Sequence, residues 1–124
     1  NEPSKRPIDM ATVRIQGADR LTRSADWENG NAVTTAKATL FTARAYNKGA
    51  ASFFLQIHDS ATAPTDQSTL IGVYECYAGS YIGDEFGSGL PITNGIYLLA
   101  ATTQTGVTAI ASSDAFFNCG WTAR

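Results

Sequence analysis

His58 is the only histidine in the chain, so any imidazole-based metal site or general base has to use it. The run His58-Asp59-Ser60 holds the residue types of a nucleophilic relay. Neighbours in an extended strand point to opposite faces, however, and these three cannot serve one another. A histidine at a strand end, its ring hydrogen-bonded to a neighbouring turn, is the expected role. The carboxylates offer no better constellation. Asp84-Glu85 lies among glycines without the oxygen-ligand spacing of a calcium loop, and Asp59 and Asp66 read as turn formers. Gly83, Gly87 and Gly89 lack the strand, Gly-rich turn and helix context of a phosphate-binding loop and read as turn glycines. Cys76 and Cys119 alternate with aromatics in separate strand-like segments and read as two buried free thiols. Joined, they would close a loop of about 43 residues, which the chain-entropy relation values at about 4 kcal/mol. Zinc would need more ligands than these. The reading is therefore of a non-enzymatic protein with no cofactor and no metal.

The elements around these residues are β in character. From position 32 onward, apolar runs rich in Thr, Val, Ile and aromatics are bounded every 8–12 residues by Gly, Pro, Asn or Asp. Segment 52–58 alternates most cleanly, with Phe53, Leu55 and Ile57 on one side and Phe54, Gln56 and His58 on the other. In 33–46, Phe41, Ala43 and Ala45 oppose Leu40, Thr42 and Arg44; in 69–77, Ile71, Val73 and Tyr77 oppose Leu70, Tyr74 and Cys76. Segment 79–89 reads as glycine-rich turns, 95–103 as a central strand buried on both faces, and 107–110 and 116–122 as the last two strands. Seven or eight short strands at this spacing predict an all-β protein: a single antiparallel β-sandwich, jelly-roll-like, over 32–124.

Residues 1–31 read as an extended N-terminal arm. Positions 1–10 carry two prolines and no periodicity, 11–16 alternate as one short strand, and 17–31 are a polar loop anchored by Trp27. No apolar run approaches the 18 residues of a membrane span, and neither a membrane partner nor a signal peptide is expected.

Charge is nearly balanced at −2, with a pI near 5.2, which argues against direct nucleic-acid binding. It is unevenly spread: residues 1–48 hold 8 basic and 5 acidic side chains, residues 49–124 only 1 basic and 6 acidic. Besides a solvated surface, this pattern fits a basic segment docking on the acidic body of a second copy. The candidate inter-subunit contacts are Arg14, Arg20, Arg23 and Trp27 against Glu75, Asp84 and Glu85. Tyr74, Tyr77, Tyr81, Tyr97, Trp27 and Trp121 are the aromatics available for recognition.

Three segments carry a resemblance. Positions 55–66 (Leu-Gln-Ile-His-Asp-Ser-Ala-Thr-Ala-Pro-Thr-Asp), 89–98 (Gly-Leu-Pro-Ile-Thr-Asn-Gly-Ile-Tyr-Leu) and 113–117 (Ser-Asp-Ala-Phe-Phe) resemble a group of short structural proteins of tailed bacteriophages. There a strand ending in His-Asp enters an Ala/Pro loop, and a Pro-x-x-Asn-Gly turn enters a long buried strand. The resemblance spans roughly 50–118. Gln67 stands where that group often has Gly. It implies a small β-sandwich virion component without catalytic residues, assembled in the host cytoplasm: a capsid decoration or cement subunit, or a tail component. Its partners would be copies of itself and other virion proteins such as the major capsid protein. The rival expectation is a carbohydrate-binding or adhesin module, with exposed tyrosines and the 79–89 segment forming the sugar site.

Overall fold

The clean alternation at 53–59 forms β4 (Phe53–Asp59), whose Phe53, Leu55 and Ile57 are fully buried. It is one of eight strands in the computed structural model, which describes residues 18–124: β1 (Arg20–Arg23), β2 (Gly30–Thr34), β3 (Ala38–Asn47), β4, β5 (Leu70–Cys76), β6 (Tyr81–Ile92), β7 (Ile96–Ala101) and β8 (Ala115–Ala123). No α-helix occurs among the described residues; a single 3-10 turn, Gln67–Thr69, is capped by the Asp66 side chain accepting from the Ser68 amide. That contact holds the Asp66 carboxyl below its usual range. Residues 1–17 of the proposed arm at 1–31, with its strand at 11–16 and Arg14, lie outside the described residues.

The strands form two antiparallel sheets of four, ordered β1-β8-β3-β6 and β2-β7-β4-β5. Their pairings nest. First pairs with last, second with seventh, third with sixth and fourth with fifth, as in one long hairpin folded so that alternate pairs fall in opposite sheets. One core lies between the sheets, with Leu40, Ala43, Ala45, Phe117 and Trp121 from the first and Phe53, Leu55, Ile57, Leu98 and Ala100 from the second. β7, between β2 and β4, is buried on both faces apart from Tyr97, as its continuous apolar run predicts.

Several expectations are corrected. Segment 17–31 is more than a loop: β1 pairs with β8 and β2 opens against β7, because short polar segments can take their conformation from the edge they extend. Segment 79–89 is mostly strand. Gly83, Gly87 and Gly89 lie inside the 12-residue β6. Its pairing with β3 jumps from Leu40↔Leu90 to Thr42↔Glu85, so residues 86–89 together oppose Phe41. Gly87 and Gly89, at φ +48° and +109°, supply the backbone this wide bulge needs.

Phe41 is also the extra residue in the pairing of β3 with β8. The strand phase therefore slips there, and Leu40 and Ala43 both face the core instead of opposing each other. Segment 107–110 is a loop joined to β7 by a single bridge, Ala101↔Ala109, and not a strand.

Two motifs of the sequence meet at one turn. Asp59, at the end of β4, accepts from the backbone amides of Thr93 and Asn94 at 3.1 and 2.7 Å, fixing the turn between β6 and β7. Gly95 follows at φ +152°, where a Cβ would lie 2.6 Å from the Thr34 carbonyl oxygen, 2.9 Å from the Ala61 Cα and 3.0 Å from the Ser60 carbonyl oxygen. All three obstacles are backbone, which side-chain motion cannot clear. Gly95→Ala is expected to cost about 1–3 kcal/mol, read by chemical denaturation, whereas a wild-type midpoint would mean that the turn relaxes freely.

Candidate functional site

The charged residues picked out for inter-subunit contact fall on opposite edges. Arg20 and Arg23 lie on β1, one edge of the first sheet; Asp84 and Glu85 lie on β6, its other edge; Glu75 lies on β5, an edge of the second sheet. They are not equally available. Arg20 sits 5.2 Å from the centre of the Trp121 ring and 3.9 Å from the Asp19 carboxylate. Arg23 is exposed and makes no ion pair among the described residues.

On the far edge, Glu85 accepts from Arg44 at 2.9 Å. Asp84 accepts from the Tyr74 hydroxyl at 3.0 Å, a contact that links β6 to β5 across the two sheets. Burial, then the hydrogen bond to Asp84, pushes the Tyr74 phenol up to about 12, so it stays a donor throughout the neutral range. Glu75 lies beside the Ser52 hydroxyl at 3.4 Å.

Cys76 and Cys119 are free thiols in the core. Burial raises them to about 11 and about 12, so neither is a ready thiolate. Trp121 belongs to the same core, its indole N–H donating to Thr22. It does not join an exposed aromatic set. Tyr97 is half-buried, and burial and the nearby Glu28 raise its phenol.

His58 is fully buried, its Nδ1 2.8 Å from Thr69 Oγ1 and its Nε2 2.8 Å from Gln56 Oε1. Thr69 ends the 3-10 turn, which is the histidine-to-turn contact expected of a strand end. Gln56 Nε2 in turn donates to the carbonyls of Thr103, Gln104 and Gly106, at 3.2, 3.1 and 2.7 Å. Since that nitrogen faces only acceptors, Gln56 Oε1 must accept from His58 Nε2–H, and Nδ1 must accept from Thr69. The imidazole is thereby committed to holding the 103–106 loop against the second sheet, and burial lowers its pKa below the usual value.

The most developed surface feature is on the outer face of the first sheet. Register sets Phe116 of β8, Tyr46 of β3 and Tyr81 of β6 side by side, since Tyr46 pairs with both of the others. Trp27 extends the row, with ring centres 5.7 Å from Phe116 and 6.0 Å from Tyr46, and Lys48 Nζ stands 4.8 Å from its centre. Trp27 is thus a packing anchor at the end of an aromatic row. Two positions along β3 and β8, Arg44 and Asn118 face the same way and pair with each other. Arg44, Ala45, Tyr46, Tyr81, Phe116 and Asn118 line an open hollow of about 210 Å³. Tyr81 was among the aromatics expected from sequence. Tyr46 and Phe116 were missed, and the signal for them is that each is an aromatic one position from a buried strand residue.

A second recess, of about 260 Å³, lies at one end of the strands among Asn47, Ser52, Thr102, Ser112 and Asp114. Its polar groups are committed internally. Asn47 donates to the carbonyls of Ala51 and Cys76, and the Asp114 carboxylate is held by the Ser112 hydroxyl. Among the described residues, no cluster of His, Cys, Asp or Glu could hold a metal ion, and no helix is long and apolar enough to cross a membrane.

Fold and surface together define an antiparallel all-β protein whose distinctive features are an aromatic outer face and sheet edges of differing charge. No protein-family model, curated protein or solved structure matches the chain.

Proposed function

We propose that the chain is a non-enzymatic structural subunit of a tailed-bacteriophage virion, a capsid decoration or cement protein that assembles in many copies with itself and with the major capsid protein. The observation that carries this reading is the strand order. Nested pairs distributed as 1-8-3-6 and 2-7-4-5 over two four-stranded sheets support reading the fold as an eight-stranded jelly roll, an architecture shared by viral capsid and lectin domains. Architecture alone does not define function. The resemblance of 50–118 to phage structural proteins and the placement of charge supply the rest.

Arg23 on the β1 edge and Asp84 on the β6 edge of one sheet suit head-to-tail contact between copies, which propagates instead of closing as a two-fold dimer does; Glu85 beside it is already paired with Arg44. One exposed pair contributes only about 0–1 kcal/mol, but tethered copies multiply such contacts. The test is electron microscopy of purified particles, with occupancy followed from about 0.1 M to 1 M salt as the screening length falls from about 10 to 3 Å. The expected result is a regular array of this protein whose occupancy drops with salt, and drops further in Arg23→Glu at unchanged monomer stability. Arg23 is the cleaner position because Arg20 also packs on Trp121. Particles lacking the protein would overturn the assignment; an array indifferent to both salt and the reversal would overturn the electrostatic contact alone.

A further inference from the structure

We propose that the hollow on the outer face of the first sheet binds one neutral sugar ring, the terminal monosaccharide of a glycan. This goes beyond the structural role and does not depend on it.

The apolar side of the site comes from register. Phe116, Tyr46 and Tyr81 occupy three adjacent strands, so their rings extend over about 10 Å, the length of a sugar ring with its substituents. Tyr81 is 70% exposed and stands on the edge strand, with no strand beyond it to cover its ring. An exposed phenol offers an apolar face for the C–H side of a pyranose and a hydroxyl for its rim. Trp27 closes the Phe116 and Tyr46 end of the row, leaving Tyr81 as its open end.

The polar side is one rung along. The Asn118 side chain is exposed and has no hydrogen-bond partner among the described residues, leaving both its donor and its acceptor for ligand hydroxyls. Arg44 crosses above Gly83, where a Cβ would meet the arginine Cγ at 2.5 Å, and reaches Glu85 at 2.9 Å. A Cβ there would meet the Ala43 carbonyl oxygen closer still, so the approach of the β3 backbone as well as the arginine stem calls for glycine at 83.

The pairing selects the ligand. A phosphate, sulfate or carboxylate is best held by an uncommitted cation inside the site, but Arg44 already has its carboxylate, and the uncommitted Arg23, opposite Asn118 on the edge strand β1, does not line the hollow. A cationic ligand finds Glu85 taken in the same way. A neutral polyhydroxylated ring suits both, since each partner of the ion pair retains hydrogen-bonding capacity for hydroxyls. Size points the same way: about 210 Å³ lies below the range of about 300–1,000 Å³ typical of drug-sized ligands, which leaves room for one ring entering from solvent. A ring-sized recess is also far short of the about 800 Å² per partner of a stable protein interface, which argues against a second copy as its occupant.

The experiment is a binding screen of the whole chain against immobilised glycans ending in glucose, galactose, mannose or N-acetylglucosamine, with sialylated and sulfated glycans alongside. Saturation-transfer NMR with the free methyl glycosides reports direct contact. The expected result is binding of at least one neutral terminal sugar, weakened at least ten-fold by Tyr81→Ala and by Asn118→Ala, with an unchanged unfolding midpoint in Tyr81→Ala. Absence of binding across the neutral panel would overturn the proposal, as would preference for the sulfated or sialylated glycans or undiminished binding in both variants. So would a change in sedimentation coefficient in Tyr81→Ala, which would show that the row holds a second copy. None of these outcomes depends on whether the chain arrays on a particle.

Discussion

Ile57→Ala is expected to lower the free energy of unfolding by about 2–5 kcal/mol, one of the largest effects of any single substitution in this chain. Ile57 is fully buried in the middle of β4, which has neighbours on both sides and pairs at Ile57↔Leu98 with β7 and Ile57↔Gly72 with β5. Truncation removes three carbons from the core. The surrounding β backbone, hydrogen-bonded on both flanks, cannot easily collapse into the space, so a cavity term adds to the lost transfer free energy. Gly72 has no side chain to swing inward. Equilibrium denaturation in urea, with an unchanged slope and a lowered midpoint, is the expected observation. A loss below about 1 kcal/mol would show that the site repacks and that β4 is not the rigid centre of the second sheet.

The same strand shows how far alternation alone can be trusted. Period-two patterning placed Phe53, Leu55 and Ile57 on one face, and they are the buried face. It also placed Gln56 and His58 opposite; His58 meets Thr69 in the turn that follows, as its strand-end position predicts, but nothing in the local sequence reveals what covers Gln56. The covering segment is the loop around 103–106, distant in sequence, whose carbonyls need a donor and find Gln56. Burial on the second face is therefore a tertiary fact. β3 illustrates a different limit: its pattern is regular, yet the bulge at Phe41 reverses the phase, so Leu40 and Ala43 share the core. Gly87 and Gly89 in β6 read as turns because glycine is the usual turn residue, whereas here they supply the backbone of a bulge within a strand.

The candidate sugar site was legible only in fragments. Tyr81 and Trp27 stand out as large aromatics in polar surroundings, but the row exists because Tyr46 pairs with Tyr81 on one side and Phe116 on the other. The partners in those pairings are separated by 35 and 70 positions in the chain. Likewise, the Glu85 carboxylate could be identified in sequence as a charge available for contact, yet pairing with Arg44 across the β3 and β6 ladder changes what it can attract.

The buried imidazole gives the second large expected effect, and its sign follows from its surroundings. His58 is neutral in the folded protein, donating from Nε2 to Gln56 and accepting at Nδ1 from Thr69. Burial lowers its pKa below the usual 6.5 because a charged ring there would lose hydration without gaining a carboxylate. The unfolded chain, titrating near 6.5, then binds more protons than the folded chain between the lowered value and 6.5. The stabilisation from a neutral His58 is complete above that range and is lost progressively as pH falls through it. The loss is at most about 1.4 kcal/mol per pH unit, since one proton is involved. Because this is the only histidine, its ring signals in NMR titrate unambiguously. The expected midpoint lies below 6.5, and in His58→Gln the fall in stability between pH 7 and 5 should shrink. Gln56→Leu probes the same link from the other end. It strips the Thr103, Gln104 and Gly106 carbonyls of their shared donor and leaves the imidazole N–H without an acceptor. With each buried unsatisfied group costing about 1–3 kcal/mol, a loss of at least about 2 kcal/mol is expected, together with faster amide exchange in 102–110. A histidine midpoint at or above 6.5, with a wild-type exchange pattern in Gln56→Leu, would mean that water reaches the ring and that the loop is held by other contacts.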